Sequence, residues 1–471
     1  MTRQSKSILT KQTAVLIILI IAVFSSVAYI QKDAIFQLIG RATGTEANLV
    51  IDVESNLGPV RPMWQYLAQG GEDTTTDMIA PVINQVKTLS AKRIRIDHIY
   101  NGYDVVSKDA SGNISFNWTR LDAVVNSIRA TGATPFLSLS YMPPAISSGD
   151  VIDKPTNWND WAYVVQKTIE HYSRDLAIPN IAYEVWNEPD LFGDWKTYGD
   201  KNYLELYRWA SIGANNTRGA LAFELGGPAT TKSYPAWIEA FLTFARDNNL
   251  RLDFISWHHY AFDMDDYAEN ISIITSELGR HPLYSGQVKV YLTETGPDSD
   301  INPVYDGAFG AAHLIALVRT TIDRISELYT FEITDGLDPA GQTYWGRWGI
   351  MTHPILGAAL KPRYRALQLL NNLSGTRLSV TGEGTWVNAL ASQSVDGTIH
   401  VIIVNYDPVG THSETAPIAI NNLVPGNYTI TQQTFGGGST SQDITVSESQ
   451  PYTATLTLPA NGIAHFTISE L

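Results

Sequence analysis

The stretch at positions 181–191, IAYEVWNEPDL, reads as a buried β-strand that stops at a proline with an amide and a carboxylate at its tip. Ile181, Tyr183, Val185 and Trp186 suit a packed, pleated surface, and Pro189, which cannot donate to a ladder, marks the turn. Taken alone, Asn187 and Glu188 are ordinary punctuation at a strand end. Their weight comes from recurrence. Short runs of the same kind occur at MWQYLA (63–68), KRIRID (92–97), PFLSLS (135–140), LAFELGG (221–227), DFISWHH (253–259), VKVYLTE (288–294) and LYTFEIT (328–334). Between them lie stretches such as LDAVVNSIRATG (121–132) and AFGAAHLIALVRTTIDRI (308–325), apolar at the i, i+3, i+4 spacing of amphipathic helices. Strands alternating with helices over about 300 residues predict an α/β fold, a (β/α)8 TIM barrel. A doubly wound sheet would want a glycine-rich phosphate loop after its first strand, and none follows.

Outside this region the pattern changes. After LKPRYRALQLLNNL (360–373) strict alternation takes over in WVNALASQ, TIHVIIVNY, YTITQQTF and TATLTL, separated by Gly, Pro, Asn and Ser. This predicts a β-sandwich over 374–471, behind a barrel at 48–373. The early run ANLVIDVES (47–55) has no barrel helix after it and is a candidate to pair with the sandwich. At the N-terminus Arg3, Lys6 and Lys11 precede an uncharged run at 13–30, TAVLIILIIAVFSSVAYI. Segment 1–30 therefore reads as a signal-anchor or, from the small-x-small triplet at Ser26 to Ala28, a cleavable signal peptide, with 31–47 a linker. Both readings export the remainder, membrane-anchored or secreted.

Composition narrows the chemistry. The absence of cysteine excludes disulfides and thiolate nucleophiles, and a net charge of -15 argues against nucleic acid and anionic membrane surfaces as partners. Membrane contact is expected only through the N-terminal segment. The 12 Trp, 23 Tyr and 14 Phe suit carbohydrate, whose C–H faces stack on flat rings, although core packing also uses them.

Barrel chemistry gathers at the C-terminal strand ends. There the sequence offers Arg95, Asp97 and His98, Tyr141, the pair Asn187-Glu188, the run His258-His259-Tyr260, and Glu294 in YLTETG. Trp345 and Trp348 follow the last strand and are candidate sugar platforms; Asp97 is a candidate substrate contact. Two carboxylates across one barrel mouth are what glycoside hydrolysis needs: one protonates the leaving oxygen, the other attacks or stabilises the sugar centre. Their mutual repulsion separates their proton affinities. His258 and His259, adjacent on a strand, point to opposite faces and have no H-x-x-x-H companion, so no metal site and no cofactor are expected. Glu184, Glu332 and Asp335 read as structural.

EVWNEPDL resembles the acid/base motif of clan A glycoside hydrolases. Together with ISFNW (114–118), PFLSLSYMPPAISSG (135–149), GGPAT (226–230), DFISWHHY (253–260) and WGIMTHPILGAALKPRYRALQLLNNL (348–373), the chain resembles glycoside hydrolase family 39. That resemblance implies a retaining hydrolase of β-linked glycosides such as β-xylosides, with an oligo- or polysaccharide substrate. It implies Glu188 as general acid/base and Glu294 as nucleophile, Asn187 on the sugar 2-OH, Tyr260 orienting Glu294, His258 beside it, and Arg95 keeping Glu294 ionised. Two positions depart from the family: Asp97 stands where it has histidine, with His98 displaced by one and expected to face away, and Ser138 replaces a glutamate. An endo-acting hydrolase of an extracellular or cell-surface polysaccharide, and a non-catalytic carbohydrate-binding cell-surface protein, are the alternatives. The intact Glu188/Glu294 pair stands against the latter.

Overall fold

All eight expected barrel strands form, and the reason is visible in which side chains alternate. In the fourth strand, Ile181–Val185, residues Ile181, Tyr183 and Val185 pack outward under the helices, while Ala182 turns inward. Ala182 joins Ala68, Phe136, Phe254, Tyr291 and Tyr329 in a separate inner cluster, so the barrel interior is a filled core. The structure, a computed structural model, describes residues 44–71, 76–447 and 451–471. The strands close in the order Tyr66–Gln69, Arg93–Ile96, Thr134–Leu139, Ile181–Val185, Phe223–Thr230, Phe254–Tyr260, Lys289–Gly296 and Glu327–Phe331, all parallel. The first is shorter than MWQYLA suggests, because Met63–Gln65, behind Pro62, forms a 3-10 turn. The signal or anchor segment 1–30 lies outside the described residues, as does most of the linker. Among the described residues no helix is long and apolar enough to cross a membrane.

The second strand is unusual in sending its charged residues inside. Arg93 and Arg95 are buried, with Ile94 and Ile96 facing the helices. Each arginine anchors an ionic layer. Arg93 meets Glu224 at 2.9 Å and Glu327 at 3.0 Å near the N-terminal end. Arg95, one layer higher, meets Glu184 and Glu294. The lower layer lies toward the N-terminal end of the strands; the upper one borders the open end.

The second domain is a nine-stranded sheet whose inward residues gather in one core, including Ile51, Ala389, Ile403, Ile418 and Ile468. The strand Leu49–Asp52 lies within it, antiparallel to Thr376–Thr381 and parallel to Glu414–Asn421. This domain is thus built from segments on either side of the barrel. Strands Val387–Gln393 and Ile399–Asn405 are buried on both faces, which explains the unbroken run VIIV. Ala389, Ala391, Val401 and Ile403 face the sheet core, whereas Leu390, Ile402 and Val404 join the barrel core. The helix Ala308–Thr321, expected to be amphipathic, is buried at every position from 310 to 318, because the sheet domain covers its outer side. Tyr406 of that domain donates to the Phe262 carbonyl, just beyond Tyr260.

Candidate active site

Asn187 and Glu294 reach the barrel mouth through local departures from strand regularity. Alternation along the fourth strand would send Asn187 outward, opposite to Glu184. The strand stops at Val185, however, and Trp186 and Glu188 adopt left-handed backbone angles, φ 78° and 45°. Such angles are costly for residues with a Cβ and persist where surroundings fix them. Here Ser138 Oγ donates to the Trp186 carbonyl at 2.7 Å, and the Glu188 N–H donates to the Ala229 carbonyl at 2.9 Å. The kink brings Asn187 and Glu188 to one cavity. On the seventh strand the register shifts between Leu292 and Glu294. The irregularity lets two consecutive side chains point inward: Thr293 donates to Glu184 at 2.9 Å, and Glu294 accepts from Arg95 at 2.8 Å.

Arg95 organises the floor. Its Nε donates to Glu184 at 2.7 Å, Nη1 to Glu294 Oε1 at 2.8 Å, and Nη2 to Asn187 Oδ1 at 2.7 Å. Asn187 in turn donates from Nδ2 to the Tyr141 hydroxyl at 2.9 Å. With its oxygen held by Arg95 and its amide group oriented, the Asn187 side chain has one fixed flip state. Tyr260 donates to Glu294 Oε2 at 2.9 Å. His258 Nδ1 lies 2.8 Å from Glu188 Oε1 and 3.5 Å from Glu294 Oε2. One atom each of Glu188, His258 and Glu294 falls within 4.8 Å of the others. That spacing would also suit a small cation; the 2.8 Å contact between Nδ1 and Glu188 Oε1 is a hydrogen bond whose direction follows the imidazole tautomer.

Charge and burial set the proton affinities. Burial pushes the Glu294 carboxyl above its usual range; His258 and Arg95 pull it back, and Glu188 and Asp97 add to the rise. Burial alone would make His258 less basic. The charge of Glu294 and the hydrogen bond to Glu188 overrule it, so the imidazole is raised above its ordinary value. Its neighbour His259, on the outer face against Tyr267, is pushed down to about 4 by burial. The two histidines therefore do opposite jobs, as their alternation predicts.

The cavity has a volume of about 320 Å³, and its walls include Asn187, Glu188, Glu294, Tyr260 and Asp97. His98 lines it too, contrary to the expectation that it faces away. The second strand ends at Ile96, and a left-handed φ of 54° at His98 turns the chain, so strand parity no longer applies. The His98 ring packs over Gly71, where a Cβ would sit 2.1 Å from it. Trp348 lines the cavity, with Arg347 3.6 Å over its ring, but Trp345 is not among the lining residues. Ser138 lies behind the strand tip, bonded to backbone. Glu332 accepts from Gln69 at 2.8 Å and Asp335 pairs with Lys361 at 2.7 Å, and both are structural. Tyr141, Thr293 and the Gly70-Gly71 pair acquire roles that their types alone did not announce, although Gly70 and Gly71 sit directly after a strand end.

A barrel whose open end holds two facing glutamates on separate strands has the equipment to break glycosidic bonds, and comparison with known proteins identifies the enzyme class: the chain is a glycoside hydrolase. Residues 47–422 match the model of glycosyl hydrolases family 39, and the chain belongs to that family. A β-xylosidase of Caldicellulosiruptor saccharolyticus is 26% identical over 393 residues, 76% of this chain and 78% of that protein. A β-xylosidase of Geobacillus stearothermophilus is 25% identical over 336 residues, 64% of each. In fold, the chain is similar to a monomeric β-xylosidase from Caulobacter crescentus, with a TM-score of 0.74 at 18% identity, covering 90% of this chain and 100% of that one.

Proposed function

We propose that this enzyme hydrolyses β-linked, xyloside-like glycosides with net retention, by double displacement. Glu294 attacks the anomeric carbon while Glu188 protonates the departing oxygen. Glu188, then a carboxylate, takes a proton from the water that releases the sugar from Glu294. The observation that supports this reading best is the closeness of the two carboxylates, with atoms within 4.8 Å of each other. Retaining enzymes keep the pair about 5–5.5 Å apart, whereas inverting ones need roughly 6.5–9.5 Å to admit water between. Support for β-xylosides comes from the two curated relatives. The basic flank and uncharged run at 13–30 support export, with the catalytic domain outside the cytoplasm.

The test is the anomer released from an aryl β-xyloside, followed by NMR before mutarotation. The β-anomer is expected first; an initial α-product overturns the assignment of Glu294. Glu188→Ala is expected to slow cleavage of a substrate with a poor leaving group by about 10²–10⁴-fold. An activated aryl leaving group should suffer less in the glycosylation step, and azide should restore turnover as the β-glycosyl azide. Full activity on the poor leaving group would remove Glu188 from the acid/base role.

A further inference from the structure

The cavity that holds the two glutamates contains a third carboxylate, one oxygen of which has no hydrogen-bond partner among the described residues. Asp97 follows the end of the second strand, is only 7% exposed and lines the cavity. Its Oδ1 is buried without a hydrogen-bond partner among the described residues. A carboxylate oxygen removed from water and given no donor is destabilising, and native structures rarely leave one so. Arg95, whose charge acts on Asp97, directs Nε, Nη1 and Nη2 to Glu184, Glu294 and Asn187 instead. Among the described residues that line the cavity, none is lysine or arginine.

We infer that the sugar held in this cavity is uncharged, that one of its hydroxyls donates to Asp97, and that Asp97 makes the site reject sugars bearing a carboxylate. The inference rests on the glycosidase reading above and names the sugar class it implies. A hydroxyl donating to an ionised carboxylate forms a short, charge-assisted bond and removes the deficit at Oδ1. A uronate would instead add a fourth carboxylate beside Asp97, Glu188 and Glu294 with no lysine or arginine among the described lining residues to receive it. An ammonium sugar could pair with Asp97, but in the proposed mechanism Glu188 and Glu294 face the glycosidic bond, so its remaining N–H groups would be desolvated without those acceptors.

The test compares kcat/KM of the wild type and Asp97→Asn on the 4-nitrophenyl β-D-xyloside, glucoside, glucuronide and glucosaminide. The wild type is expected to prefer a neutral glycoside over both charged ones by about 100-fold or more. Asp97→Asn should lower kcat/KM on that neutral glycoside by about tenfold, and it should narrow the gap to the glucuronide by about tenfold, because a charge has left the site. An equal loss on every substrate, or a wild type that prefers the glucuronide or glucosaminide, overturns the inference. Calorimetric binding of D-xylose and D-glucuronate separates this from turnover. Should no glycoside be cleaved, the glycosidase reading fails. Xylose binding that Asp97→Asn weakens would still uphold the neutral site, and glucuronate binding as tight as xylose, or no binding of either, would end it.

Discussion

Replacing Glu294 by glutamine is expected to lower kcat on an aryl β-glycoside by about 10⁴-fold or more, with the fold intact. Glutamine has nearly the same shape, and its oxygen still accepts from Arg95 Nη1, so the three-way hold of Arg95 on Glu184, Glu294 and Asn187 survives. What disappears is the negative charge that, in the proposed mechanism, forms the bond to the sugar. The amide is a poor nucleophile, and the other carboxylates are committed elsewhere: in the proposed mechanism Glu188 serves the leaving group, Asp97 accepts from a sugar hydroxyl, and Glu184 is fully buried against Arg95. The measurements are steady-state kinetics and a thermal unfolding scan on the same preparation. Activity within tenfold of wild type, with contaminating enzyme excluded, would mean that another group attacks the sugar.

Arg95→Met is expected to destabilise the protein by about 3–5 kcal/mol, because it strands charge in the interior. Glu184 and Arg95 are both fully buried and 2.7 Å apart. A methionine fills much of the volume but leaves the Glu184 carboxylate, among the described residues, with only the Thr293 hydroxyl as a side-chain donor. Urea unfolding measures the loss, and the double variant Arg95→Met/Glu184→Gln should recover part of it by removing the stranded charge. If the single variant unfolds at the wild-type urea concentration, the ionic layer contributes nothing to stability. The activity that remains should shift in pH. Arg95 lowers the proton affinity of Glu294, against the rise imposed by burial. In the proposed mechanism Glu294 attacks only when ionised, so without Arg95 its pKa climbs and the acidic limb of kcat/KM should move to higher pH. A limb that stays in place, or moves to lower pH, would show that Arg95 does not tune Glu294.

The barrel was legible because its strands are apolar runs punctuated by helices, and that pattern survives folding. Glu188 and Glu294 were legible because they stand at strand ends within recognisable motifs. What the sequence concealed was how they are aimed. The left-handed angles at Trp186 and Glu188, and the register shift around Thr293, depend on tertiary hydrogen bonds that no local pattern encodes. The same limit misdirected His98: parity holds only while the strand continues, and the strand had ended at Ile96. Trp345 and Trp348 looked equivalent three residues apart, and only the folded loop puts Trp348 on the cavity. The helix Ala308–Thr321 reads as amphipathic from its spacing, and the sheet strands that bury its outer side lie far along the chain.

That cover has a consequence for the ribosome. The strand Leu49–Asp52 is made before any part of the barrel, yet its neighbours Thr376–Thr381 and Glu414–Asn421 are made after all of it. Throughout synthesis of the barrel this apolar segment has no sheet to join, and the helix Ala308–Thr321 emerges equally bare. Both are sticky intermediates of the sort that chaperones shield. Completing this enzyme therefore requires a capture: Thr376–Thr381 and Glu414–Asn421 close around one of the earliest strands, while Val387–Gln393 and Ile399–Asn405, made between them, seal the barrel's greasiest helix.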